Sequence, residues 1–257
     1  VLYDAANDRY LVSNINGKPL DADNNGFISE LSPDGTVKNL KWIEAGKNKV
    51  TLNAPKGMAI VGGLLYVADI DSVRMFDAKT GEPKGYNRID GATFLNDVAS
   101  TAGKEPIYVT DSGMKQGATD FEPTGSDAVH MIEKGAVKVF AKGTQLGRPN
   151  GVVVTPKGVY INTFGGDEVY RLVRGGKRED ITKVPKGGLD GLAVLGNQVI
   201  VSSWQGQTVY KGTLGGTLEP MVAGAKAPAD FDIDPKRQLI LIPRFQDNVV
   251  QGFALTP

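Results

Sequence analysis

The stretch Arg148-Pro149-Asn150-Gly151-Val152-Val153-Val154-Thr155-Pro156-Lys157-Gly158-Val159-Tyr160-Ile161 holds a polar turn with one Asn, a short apolar strand, a Pro-Lys-Gly turn and a second apolar strand. The same plan returns at residues 54–61, 94–99, 188–194 and 229–233. Lys56, Asn96, Asn150, Asp190 and Asp230 mark it, and subtraction of their numbers gives spacings of 40, 54, 40 and 40 residues. A period near 40 in a chain of short strands is the signature of propeller blades. The reading is an all-β protein, a six-bladed β-propeller forming one domain over residues 1–257.

The blades fall at about 1–46, 50–90, 91–143, 144–186, 187–224 and 225–257. Apolar, β-branched runs such as 58–61, 64–68 and 72–76, separated by Gly-Gly and Asp-rich turns, read as antiparallel hairpins. Blade three is lengthened by residues 112–127, expected to be a non-strand insertion overhanging one mouth of the central tunnel. Blade six is expected to lack a fourth strand, with residues upstream of Val1 supplying it. The start at Val1, in what reads as mid-strand, is taken as a sign of a segment removed upstream, which points to a secreted or periplasmic protein.

Composition excludes several functions. Lys plus Arg number 29 and Asp plus Glu 29, so no electrostatic footprint for nucleic acid or an anionic membrane surface exists. The chain has no Cys, which removes disulfides, thiolate nucleophiles and Cys-ligated metals. No apolar run reaches the 18 residues of a membrane-spanning helix. The expected partner is a small-molecule ligand or substrate, and the expected state a monomer. His130 is the single His and is read as structural, and neither a G-x-S-x-G elbow nor a phosphate-cradling Gly-rich loop occurs. Arg171, Arg174, Lys177 and Arg178, around Gly175-Gly176, read as a solvated hairpin tip.

In a propeller the first strand of each blade lines the tunnel, so the five marked residues should converge as a ring at one mouth. Asn and Asp offer the oxygens that a hard cation such as Ca²⁺ collects. They also serve as turn residues that satisfy local backbone groups. Second-strand ends should line the same mouth, bringing in Asn14, Asp69, Asp111, Phe164, Trp204 and Arg244-Phe245 as a pocket for a partly apolar ligand. The segment Asp21-Ala22-Asp23-Asn24-Asn25-Gly26 matches the opening of an EF-hand loop but lacks its closing Glu and its helices.

Leu95-Asn96-Asp97, Arg148-Pro149-Asn150-Gly151 and Leu189-Asp190-Gly191-Leu192-Ala193, each opening a blade, give the chain a resemblance over its whole length to the family of senescence marker protein 30, gluconolactonases and luciferin-regenerating enzymes. The resemblance implies a divalent cation, most readily Ca²⁺, bound by Asn150 and Asp190 with Asn96 in support. It implies Asp190 as catalytic base and hydrolysis of a lactone or ester. The family's Glu ligand belongs to blade one, just upstream of Val1. Where family lactonases often carry an Arg two residues before the supporting Asn, this chain has Phe94, so the expected substrate is more apolar than a sugar lactone. The alternative is a non-catalytic ligand-binding or scaffold propeller. A condensing enzyme of the strictosidine-synthase kind needs a catalytic Glu at the mouth, and none can be placed there.

Overall fold

In the computed structural model, which describes residues 1–118 and 120–255, the chain is an all-β, six-bladed propeller. Blade one contains β1 (Leu2–Asp4), β2 (Arg9–Asn14), β3 (Phe27–Leu31) and β4 (Val37–Glu44). Blade two contains β5 (Pro55–Val61), β6 (Leu64–Asp69), β7 (Ser72–Asp77) and β8 (Pro83–Arg88). Blade three contains β9 (Leu95–Thr101), β10 (Lys104–Asp111), β13 (Ala128–Glu133) and β14 (Ala136–Lys142), interrupted by a hairpin of β11 (Met114–Gln116) and β12 (Phe121–Pro123). Blade four runs from β15 (Pro149–Thr155) through β16 (Gly158–Thr163) and β17 (Glu168–Val173) to β18 (Lys177–Lys183). Blade five runs from β19 (Leu189–Leu195) through β20 (Gln198–Ser203) and β21 (Thr208–Thr213) to β22 (Leu218–Ala223). Blade six has β23 (Asp232–Asp234), β24 (Leu239–Arg244) and β25 (Val249–Ala254). Every pairing is antiparallel between neighbours, and outer strands such as β4 and β8 are largely exposed.

The core lies between blades. One apolar cluster fills each of the six interfaces: Leu11, Ile28 and Leu52 pack against Leu65 and Phe76 between blades one and two, and corresponding sets follow around the ring. Between blades six and one, Val1 and Tyr10 meet Leu241. Polar contacts reinforce this last seam. The Tyr10 hydroxyl donates to Asp234 at 2.7 Å, the Tyr3 N–H donates to Asp232 at 2.7 Å, and Arg237 bridges Asp234 and Asp8 at 2.8 Å each.

Two expectations about the outline change. The insertion is not strandless: Met114 pairs with Pro123 and Gln116 with Phe121. Buried Met114 and the edge-on contact of Phe121 with Phe94 at 5.5 Å anchor that hairpin, a tertiary stabilisation that no local alternation announces. The basic tip is not simply solvated either. Arg171 pairs with Glu179 at 2.7 Å and Asp180 at 2.6 Å, while Arg178 pairs with Glu168 and covers the Tyr170 ring. Blade six shows three strands among the described residues, and β1 is the innermost strand of blade one.

Candidate functional site

A repeated irregularity at the start of the first strand in blades two to five builds the site. In blade four Pro149 pairs with Thr163, yet the next pair is Val152 with Ile161, so Asn150 and Gly151 together oppose Asn162 alone. The same bulge sets Lys56 and Gly57 against Ala68 in blade two and Asp190 and Gly191 against Ser202 in blade five. A bulge re-aims a side chain that a regular strand would point sideways, and here it turns the first residue of each pair into the tunnel mouth. The second residue sits where neighbouring blades touch. A Cβ on Gly151 would collide with the Asp190 carbonyl oxygen, and one on Gly191 would meet the Phe231 ring at 2.5 Å. Glycine there is required by close approach of backbone and ring.

The residue opposite each bulge holds two blades together. Asn162 accepts the Gly151 N–H at 2.9 Å and donates to the Asp190 carbonyl at 2.6 Å. Ser202 accepts the Gly191 N–H at 2.7 Å and donates to the Ala229 carbonyl at 3.2 Å. Thr110 accepts the Asp97 N–H at 3.0 Å and donates to the Asn150 carbonyl. These buried polar groups are fully paired and fix the relative placement of the ring residues.

The ring opens on a cavity of about 440 Å³. Lys56, Asn96, Asn150, Asp190 and Asp230 line its floor. Phe94, Met114 and Phe121 form one side, while Phe164, Trp204, Arg244 and Phe245 form the other. Phe164 meets Trp204 edge-on at 5.6 Å, and Trp204 and Phe245 lie tilted at 5.4 Å. Of the expected site residues, Phe94, Asn96, Asn150, Phe164, Asp190, Trp204 and Arg244 come together here. Asp111 does not. It is fully buried away from the cavity and accepts the N–H groups of Thr93, Phe94 and Gly113 at 3.2, 2.9 and 3.0 Å. Asp69 does the same for Asn53 and Ala54 and pairs with Arg74 at 3.0 Å. The period-two alternation of a strand explains both: each carboxylate points back into its own blade, under the turn that precedes the ring.

Several side chains at the mouth keep oxygen capacity in reserve. Asn150 is 1% exposed, and its Oδ1 has no hydrogen-bond partner among the described residues. Asn96 donates through Nδ2 to Ser112 at 3.3 Å, which leaves its Oδ1 for the cavity. Asp190 uses only Oδ2, accepting the Trp204 indole N–H at 2.9 Å. Burial, then the Asp230 charge, pushes the Asp190 carboxyl up to about 8. Burial also raises Asp230. Asp97, beneath the ring, is raised by burial and then by repulsion from Asp230, while it accepts N–H groups from Val98 and Val152. Asp190 and Asp230 both line the cavity and their charges repel, a cost that a cation between them would relieve. Its donor set of amide and carboxylate oxygens suits a hard divalent ion such as Ca²⁺. Among the described residues no group of three His, Cys, Asp or Glu is arranged as a metal cluster by itself, so the Asn oxygens would be essential to any such site.

Structural comparison places the fold among known propellers. The chain is similar to a putative gluconolactonase (TM-score 0.64, 17% identity, covering 94% of this chain and 83% of that one). It is also similar to a gluconolactonase from Xanthomonas campestris (TM-score 0.61, 20% identity, 84% and 75%), and to a virginiamycin B lyase from Staphylococcus aureus in an inactive form with quinupristin (TM-score 0.60, 14% identity, 86% and 70%). A chain of a nidogen/laminin complex aligns equally well (TM-score 0.63, 18% identity, 90% and 91%). The shared property is the fold. No protein-family model matches the sequence, and no curated protein matches it either.

Lys56 and Asp230, expected on the ring, both line the cavity, Lys56 from its bulge position. Two contributors lay outside the expected site. Asp97 was hidden in an Asn-Asp pair whose second residue occupies the place that Gly takes in other blades. Phe121 carries no periodic signal at all. The EF-hand-like segment is tied up internally: Asn25 donates to Asp23 at 2.6 Å, and Asn24 accepts the Leu52 N–H at 3.0 Å.

Proposed function

We propose that this propeller is a hydrolase of lactones or esters that works with a divalent cation, most readily Ca²⁺, at the tunnel mouth. The observation that carries the reading is the buried, unpartnered Oδ1 of Asn150, which shares the cavity floor with Asn96 and the buried Asp190. An unsatisfied buried acceptor costs about 1–3 kcal/mol, and a ligand that it meets removes that cost. Asn150 and Asp190 would hold the ion, with Asn96 in support.

When bound, the ion contributes Lewis-acid polarisation of the acyl carbonyl. The chain's own residues do the rest. Trp204 fixes the Asp190 carboxyl through Oδ2, leaving Oδ1 to take a proton from the attacking water. The carboxyl, raised by burial, gives up its own proton more readily beside a positive charge. Asn96, held by Ser112, presents an oxygen that orients water or substrate. The aromatic side walls exclude water and receive an apolar substituent. The gluconolactonase neighbours fit this reading, and the absence of an Arg at position 94 turns it away from sugars.

A second reading, a ligand-binding propeller without turnover, is favoured by Lys56 on the ring, whose ammonium form would repel a cation. The nidogen neighbour is a propeller seen in a protein complex, which fits that alternative. Elemental analysis of dialysed protein, beside an Asn150→Ala, Asp190→Ala double variant, separates the two. About one equivalent of divalent ion, absent from the variant, followed by turnover in a lactone and ester screen, supports the hydrolase. Absence of metal from both, and no turnover with added Ca²⁺, leaves the binding propeller.

A further inference from the structure

Lys56 differs from the rest of the ring, where the other four positions carry oxygen-bearing side chains. It lines the cavity. Its Nζ donates to the Ala54 carbonyl at 2.8 Å and stands 4.7 Å from the centre of the Phe94 ring, and these are its partners among the described residues. Asp69, the nearest acidic influence, is committed to Arg74 and to backbone N–H groups. Lys56 is half-buried without a paired carboxylate, and desolvation, partly offset by the Asp69 charge, brings this ammonium down to about 8. The neutral, nucleophilic amine is therefore reached at milder pH than for an exposed lysine.

The surroundings define what that amine can meet. Phe94 and Phe121 form an edge-to-face pair beside it, and the Phe164, Trp204 and Phe245 rings line the opposite side. The Arg244 guanidinium is held by Asp247 at 2.6 Å and approaches Gln251 at 3.3 Å. Arg244 keeps an Nε–H without a partner among the described residues but stays a cation, so Lys56 is the basic side chain of the cavity that can offer a lone pair. A guest with an apolar ring would fit among these rings, in the cavity that Lys56 also lines.

We propose that Lys56 is a carbonyl-capturing residue, forming a reversible imine with an aldehyde or ketone that bears an apolar ring. The nitrogen lone pair adds to the carbonyl carbon, the former N–H proton moves to the oxygen, and a carbinolamine results. Loss of that oxygen as water, with formation of the C=N bond, completes the step. One amine and one carbonyl compound give one imine and one water, and no oxidant or reductant is needed. This activity does not use the oxygens of Asn150 or Asp190, so it stands or falls separately from the hydrolase.

The test is reductive trapping on the full chain. Brief exposure to 2-naphthaldehyde with cyanoborohydride at pH 8, followed by peptide mass spectrometry, reads each lysine in competition. Lys56 is expected to be modified at least ~10-fold faster than exposed Lys134 and Lys157, in line with the gain from a desolvated amine. Glyoxylate, small and charged, should show no such preference. In Lys56→Met the fast phase should vanish while Lys134 and Lys157 react as before. Modification of Lys56 no faster than of Lys134 and Lys157 in the parent protein overturns the proposal, whatever the stability of the variant. Equal preference with glyoxylate overturns the ring-bearing class of guest.

Discussion

Two rows of polar residues run side by side around the tunnel, and they differ in one respect. At the ends of the second strands, Asp69 and Asp111 give their oxygens to backbone N–H groups, and Asn162, Ser202 and Thr110, one position before strand ends, both accept and donate between blades. At the starts of the first strands, Asn96, Asn150 and Asp190 retain acceptor capacity that faces a cavity. Asn and Asp occur in both rows. The lesson is that a buried Asn or Asp becomes a candidate ligand-binding group through what it leaves unpaired, and a structural one through what it pairs.

The sharpest way to break that contrast is to remove an oxygen from the paired row. Asp111→Ala leaves the N–H groups of Thr93, Phe94 and Gly113 without their acceptor, and should cost roughly 3–5 kcal/mol. A melting temperature lower by about 10 °C is the expected calorimetric result. An unchanged melting temperature would dissolve the distinction between the two rows.

His130 sharpens the comparison from a third side. It is 5% exposed, both ring nitrogens lack partners among the described residues, and it does not line the cavity at the mouth. Its unpaired state is a burden on stability and not a site. Burial, then the charge of Lys142, lowers its pKa to about 4. The unfolded chain therefore binds the proton first, and the His130 contribution is fully present above about pH 6.5 and lost as pH falls towards 4. The loss amounts to roughly 3 kcal/mol over that window. Denaturant titrations at pH 7 and pH 4.5 should show a smaller acid loss for His130→Leu than for the parent.

On the ring itself the effects should appear in function before stability. Asp190→Asn is expected to reduce lactone or ester hydrolysis by about 10²-fold or more, the share ordinarily supplied by a positioned base. Its melting temperature should stay near the parent's, because the Trp204 N–H keeps an acceptor. The smallest change in stability belongs to Asn150→Ala, which removes an acceptor that has no partner, and should stay within about 1 kcal/mol of the parent. The same variant should weaken Ca²⁺ binding at least ~10-fold by isothermal titration, since a hard ion depends on each oxygen donor. Retained binding would remove Asn150 from the proposed ligand set.

The chain dictates the blade count through its own periodicity. The spacing from Asn150 to Asp190 to Asp230, the Pro-Lys-Gly turns and the β-branched runs fix short antiparallel strands, and strands of that length must bury their faces against copies of themselves. The marked Asn and Asp residues share one phase of the repeat, so their convergence at one mouth is legible in the sequence. What only the tertiary structure decided is which oxygens remain free. Asp111 and Asp190 look alike in the sequence, and the bulge turns one position towards the tunnel while regular alternation turns the other beneath a turn. The β11–β12 hairpin and the role of Phe121 were decided in the same way, by an aromatic contact with Phe94 made across the mouth. Hydrogen bonding and packing between blades are long-range, and a local pattern specifies them only after the ring has closed.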